Sequence, residues 1–326
     1  MEIFRTQVLV PKSERKITYQ SNIMLIGSCF SEYIGNKLSG FKFNTNNNPF
    51  GIVYNPLSVK KSISRLTENR DYFKDDLINR DGVWHSFDHH SRFSSTNPDE
   101  CIQAINNQLH ISSDFLKKTD FLFITFGTSY VYSLVKNNMV VSNCHKLPAK
   151  EFHRKRLTVN EIVNEYNELI KQLQSSNPNL QIVFTVSPIR HWKDGAHENQ
   201  LSKATLLLAI DNICSDFKNV MYFPSYEIIM DDLRDYRFYE EDMLHPNKVA
   251  VDYIWNRFKE CFTEKGTMSL MKEVEKVMLA LKHRPFNPET EQYREFLKQN
   301  SDKIKFLKEQ YKINFREEEL FDPPLK

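Results

Sequence analysis

The stretch Ile23-Met24-Leu25-Ile26-Gly27-Ser28-Cys29-Phe30-Ser31-Glu32-Tyr33-Ile34-Gly35-Asn36-Lys37-Leu38 decides the fold. Four apolar residues in a row, too few for a helix, predict a strand buried on both faces. Phe30, Ile34 and Leu38 then recur every fourth residue, the stripe of an amphipathic helix. Between the two patterns stand a glycine and two small side chains able to act as nucleophiles, Ser28 and Cys29. A chain that leaves a strand at Gly27 and re-enters a helix sets both at the helix N-terminus. There free backbone N–H groups and the helix dipole favour an anion, thiolate or oxyanion. An ordinary strand–turn–helix with a small N-cap residue fits the same letters.

Working outward, the alternation repeats. Phe121 to Phe126 predicts a second buried strand ending at Gly127-Thr128-Ser129. Gln181 to Val186 predicts a third, ending at Ser187-Pro188-Ile189-Arg190-His191, and Val220 to Phe223 a fourth. Helical patterns lie between them. Leu57 to Leu66 is one. Asn97-Pro98-Asp99-Glu100 opens another with an N-cap, a proline at the first position and acids in the first turn. Thr158-Val159-Asn160-Glu161 is a capping box ahead of a third. Tyr130 to Val135 and Met139 to Ser142, around Lys136-Asn137-Asn138, predict a β-hairpin. Together these predict an α/β domain over 1–262, three layers α/β/α around a mostly parallel sheet.

From about Gly266 two apolar stripes, Met271 to Leu281 and Tyr293 to Tyr311, flank a break at Pro285 to Pro288. They predict a helical C-terminal extension over 263–326 that adds no residue to the site. It is free to cover the core, meet a partner or self-associate.

Composition narrows the function classes. Of 326 residues, 44 are Lys or Arg and 42 Asp or Glu, so the balance points to no nucleic acid and no anionic membrane. No apolar run approaches the roughly 18 residues of a membrane span. The five cysteines, 29, 101, 144, 214 and 261, form no CxxC pair, which predicts neither a disulfide framework nor a zinc site. The start, Met1 to Thr6, shows no leader, and the expected location is cytoplasmic. His85, His89 and His90 with Asp88 lie in an irregular segment without a helical ligand pair, so no metal is expected, and no cofactor.

In parallel sheets ligands bind beyond the carboxyl ends of the strands. Candidate chemistry follows those ends: Ser28 and Cys29, then Thr128 and Ser129, then Arg190 and His191. The long Asn/Pro/Gly stretch Asn44 to Pro56, with Asn48 and Gly51, reads as a binding loop. Asp242 precedes His245 by three residues, close enough to reach Nδ1 and leave Nε2 as base. Pro246 suits the first turn of the following helix. Nucleophile, base, orienting acid and oxyanion donors together describe acyl transfer.

At these residues the chain resembles the GSCFA domain family, best known from bacteria, Bacteroidetes especially. Gly27-Ser28-Cys29-Phe30-Ser31 is similar to the motif that names it. Further matches are Asn48-Pro49-Phe50-Gly51 with Tyr54-Asn55-Pro56, Gly127-Thr128-Ser129, Asn143-Cys144-His145-Lys146, Ser187-Pro188 and Asp242-Met243-Leu244-His245-Pro246. That family is similar to the SGNH/GDSL hydrolases. The resemblance implies an SGNH hydrolase-like fold and an esterase or acyltransferase acting on a small-molecule or carbohydrate-linked acyl group. Set against the SGNH Gly-Asp-Ser block, Cys29 falls on the nucleophile and Ser28 on the aspartate. Asp242 and His245 match the final Asp-x-x-His block. Gly51 falls on the glycine oxyanion donor, and Ser129 stands where the pattern has asparagine. His145, Arg190 and His191 complete the implied substrate-binding set. Two readings stay open: a working hydrolase or acyltransferase using Cys29 or Ser28, and an inactive binding or assembly module of the same fold.

Overall fold

The computed structural model describes residues 6–315. In chain order, β1 (Asn22–Gly27), α1 (Cys29–Gly40), β2 (Asn44–Asn47) and α2 (Pro56–Glu68) are followed by a hairpin of β3 (Leu77–Arg80) and β4 (Val83–Ser86). Next come α3 (Pro98–Lys117), β5 (Phe121–Phe126), β6 (Tyr130–Leu134), β7 (Val140–Val141), β8 (Phe152–Arg156) and α4 (Val159–Ser176). The chain goes on through β9 (Gln181–Val186), α5 (Gly195–Asp216), β10 (Val220–Tyr222) and the single turn α6 (Ser225–Glu227). Three helices close it: α7 (Lys248–Phe262), α8 (Lys265–Lys282) and α9 (Glu291–Tyr311).

Five strands form one parallel sheet in the order β10-β9-β5-β1-β2. Strand order reverses between β1 and β5, so their carboxyl ends bound the crevice where ligands of such sheets bind. Alternate side chains divide the core. Met24, Ile26, Leu122, Ile124, Phe126, Ile182, Phe184 and Val186 pack under α2 to α5. Ile23, Leu25, Phe121, Phe123 and Val183 face the other way, onto α1, α7, α8 and α9. The architecture is three-layer α/β/α.

Several expectations need correction. Residues 44–47, read as loop, form edge strand β2. Its Asn-Thr-Asn-Asn letters carry no apolar period because an edge strand is half solvated. In the irregular segment before α3, the strand expected around Trp84 is present as β4, and it pairs with an unexpected β3 as a hairpin. Pro246 does not start a helix: it bridges to Tyr239, and Asn247 caps α7 by accepting the Ala250 N–H at 3.2 Å. The expected hairpin is present, Tyr132 opposite Val141, and a third strand, β8, pairs along β6. The extension forms α8 and α9, the second ending at Tyr311, and its Met271, Val274, Val277, Ile304 and Leu307 enter the same core as α1 and α7. The rest of the extension, 316–326, and the first five residues lie outside the described part.

Candidate active site

Ser28 is the N-cap of α1, its Oγ accepting the Phe30 N–H at 3.3 Å. That hydroxyl is buried and employed in the cap. Cys29, the first helical residue, is half-buried at the crevice. Its thiol departs from the simple helix-terminus expectation. Burial pushes the Cys29 thiol up, its own backbone N–H pulls it partly back, and Glu32 raises it further. The resting group is therefore a thiol rather than a preformed thiolate.

His245 and Asp242 form the pair expected from their spacing. The His245 Nδ1–H donates to Asp242 Oδ2 at 2.5 Å. Asp242 Oδ1 accepts the backbone N–H groups of Leu244 and His245, each at 2.9 Å. The backbone N–H and the ring of His245, and then the Leu244 N–H, hold this carboxyl down to about 2. A carboxylate fixed by three donors fixes the imidazole in turn, with Nε2 left as the basic nitrogen.

Tyr33 links the two halves. The phenol of this α1 residue is pushed up by burial and then by the charges of Cys29, Glu240 and Asp242. In geometry, α1 reaches the helix that follows the Asp242–His245 loop: Lys37 pairs with Asp252 of α7. Tyr54 does the same on the other side: burial, Cys144, Tyr132 and Cys29 all raise it, and its ring stands edge-on to His191 at 6.4 Å.

The other candidates make the following contacts. Asn48, fully buried, accepts the Gly27 N–H on Oδ1 at 2.9 Å and so braces the end of β1. Gly51, expected as an oxyanion donor, spends its N–H on Asn48 O at 2.7 Å. Thr128 and Ser129 turn toward α5: the Ser129 N–H donates to Ser202 Oγ at 2.8 Å, and Thr128 Oγ1 lies 3.0 Å from the same oxygen. Neither stands free to meet an oxyanion. His145 donates from Nε2 to Ser86 O at 2.7 Å and stacks on His85, so it anchors its turn to β4. His191 is held through its N–H by Asn199 Oδ1 at 2.8 Å, and burial lowers its imidazole.

Arg190 meets the loop that carries Asp242 and His245. Its Nη2 donates to Met243 O at 2.5 Å, and its guanidinium lies 5.1 Å from the Trp192 ring, 5.9 Å from Tyr236 and 5.2 Å from Tyr239. It ties the loop after β9 to the loop that carries Asp242 and His245. Sequence reasoning missed Tyr33 and Ser202, which belong to no recognisable catalytic spacing, and quoted Tyr54 in a family block without giving it a part in the site. It also missed Lys203, although that residue continues the Leu206, Ile210, Ile213 stripe of α5 toward its N-terminus. Among the described residues no group of three His, Cys, Asp or Glu side chains is placed to hold a metal ion. No described helix is long and apolar enough to cross a membrane.

Among curated proteins none matches the chain. Solved structures similar to it include a Clostridium thermocellum family 3 carbohydrate esterase, with 14% identity and a TM-score of 0.34 over 77% of this chain and 97% of that one. Another is a carbohydrate esterase family 3 structure from Talaromyces cellulolyticus, with 7% identity and a TM-score of 0.36 over 78% and 99%. The family model "GSCFA domain protein, C-terminal domain" matches residues 274–321. The GSCFA family model itself spans residues 22–258, from the start of β1 through most of α7, and the chain belongs to the GSCFA family.

Proposed function

We propose that the protein is an SGNH-type hydrolase or acyltransferase of acyl esters, with Cys29 as nucleophile, His245 as base and Asp242 as orienting acid. The observation that carries this reading is the Asp242–His245 contact, on the loop that leads into α7, the helix paired with α1 through Lys37 and Asp252. Because burial keeps the thiol protonated, His245 Nε2 takes the proton as sulfur attacks the acyl carbon. The Cys29 N–H, at the positive end of α1, faces the developing oxyanion. Collapse breaks the carbon–oxygen bond, and the alkoxide leaves with the proton from the imidazolium. Water, or an acceptor hydroxyl in the transferase case, then attacks the thioester with His245 again as base, and the thiol is restored.

For the acyl carrier we infer a carbohydrate or another small hydroxylated molecule. Trp192 and Tyr236 support it: they are 47% and 61% exposed, and their rings lie 5.1 Å and 5.9 Å from the Arg190 guanidinium, which bonds Met243 O of the His245 loop. Exposed aromatic faces of this kind stack on the C–H face of a sugar ring.

A second reading, a binding module without turnover, is favoured by the engaged N–H groups of Gly51 and Ser129. A panel of short-chain acyl esters and thioesters, assayed beside a thiol-directed covalent probe, separates the two. Turnover abolished by Cys29→Ala and by His245→Ala supports the enzyme. Labelling of Cys29 with no turnover on any ester supports the binding module.

A further inference from the structure

Lys203 lies on α5 with its side chain 1% exposed. Its Nζ donates to Gly127 O and to Ser187 O, each at 2.7 Å, and sits 5.4 Å from the centre of the Tyr226 ring. No carboxylate pairs with it among the described residues. A buried amine without a counter-charge is a stability cost, since an apolar residue of the same length would fill the space without desolvating a cation. Burial alone lowers this amine to about 7.

The two carbonyls identify what the amine holds. Gly127 is the first residue after β5 and Ser187 the first after β9. Gly127 itself is wedged. Its N–H donates to Tyr54 O at 2.7 Å, and a Cβ there would lie 2.9 Å from Tyr54 Cβ and 3.6 Å from Ser28 Cβ. Asn199 and Ser202, on the same face of α5, grip the same two loops through His191 and through Thr128 and Ser129.

We propose that Lys203 is a positioning residue of the site, tying the carboxyl ends of β5 and β9 together so that Gly127 seats Ser28, Cys29 and Tyr54. The inference rests on the geometry of the strand ends. It uses Cys29 as a reporter and does not need Cys29 to be a nucleophile, so failure of the esterase reading leaves it standing. The other ionisable groups around this amine are His191 on the β9 loop and Tyr226 on α6.

The test is residue-resolved alkylation by iodoacetamide, followed by mass spectrometry, in wild type and Lys203→Met. The variant should alkylate Cys29 at least threefold faster, because the loosened floor opens the half-buried thiol. Cys101 and Cys261, both buried and bonded to Phe93 O and Pro11 O rather than to anything Lys203 holds, should react as slowly as before. Acceleration of all three cysteines would signal general loosening and overturn the proposal, as would a Cys29 rate changed less than threefold or slowed. Should Lys203→Met not fold, the wild type decides. The carbonyl carbon resonances of Gly127 and Ser187 must titrate with the midpoint of the Lys203 side chain, and independence of the three signals overturns the assignment.

Discussion

Cys29 sits at a helix N-terminus, which should lower a thiol, yet burial and Glu32 outweigh the helix. Its alkylation rate should climb with pH through a midpoint above that of a free thiol, and Glu32→Gln should bring that midpoint down. A midpoint below the free-thiol value would show that the helix terminus dominates. Cys29→Ala should remove labelling at this position, while Ser28→Ala should keep it, because the Ser28 hydroxyl is spent on the α1 cap. Loss of labelling in Ser28→Ala alone would move the nucleophile by one residue. If acyl turnover is found, Asp242→Asn should lower kcat by about 10²–10⁴-fold with little change in KM, since the carboxylate fixes the tautomer rather than binding substrate. An unchanged kcat would show that Asp242 does not orient the base. The Asp242–His245 pair was legible as a three-residue spacing. The engaged state of Gly51 and Ser129 was not, because a motif names a donor without saying what its N–H already holds.

At the scale of elements, the buried strands were legible because an apolar run that short fits nothing else. β2 escaped, since a polar edge strand has no period to read. The α5 stripe carried a signal that went unread: Asn199, Ser202 and Lys203 occupy buried helical positions where a polar residue needs a reason. Lys203 also sets a pH dependence. Its folded-state value near 7 lies below the roughly 10.4 of an unfolded lysine, so between these values the unfolded chain binds the extra proton. Below pH 7 both states carry it and the burial cost is present in full. From pH 7 to about 10 that cost is progressively relieved. The stability of wild type relative to Lys203→Met should therefore rise between pH 7 and 9.5, measured by urea unfolding, and a flat or falling difference would place the amine's folded value near that of a free lysine. The end of β1 has less latitude. Gly27 has φ 151°, and a Cβ there would meet Thr125 O at 2.3 Å, so Gly27→Ala should prevent a native melt.

Across the whole molecule, the site follows the carboxyl ends of the strands, while the C-terminal helices cover one face of the sheet and bond to the chain ahead of β1. Cys29, Gly127 and Ser187 follow the carboxyl ends of β1, β5 and β9. The extension meets the chain just ahead of β1: Thr267 Oγ1 donates to Ile17 O at 3.4 Å, and Gln20 Nε2 donates to Tyr311 O at 3.0 Å. Supplying none of the candidate site residues does not make the extension an independent appendage. Met271, Val274, Val277, Ile304, Leu307, Ile313 and Phe315 are all buried in the layer that covers Phe121 and Phe123. Each such side chain contributes about 1.5–3 kcal/mol of burial, offset in part by the entropy of ordering two helices. A net loss of a few kcal/mol corresponds to about 10 °C in a domain of this size. Truncation after Thr263 should therefore lower the melting midpoint by about 10 °C or more. Below that midpoint the truncated protein should keep the wild-type Cys29 alkylation rate, because nothing at the carboxyl ends of the strands is removed. A midpoint within about 2 °C of the full chain would mean that the apolar stripes of α8 and α9 pair with each other and leave the main core complete without them.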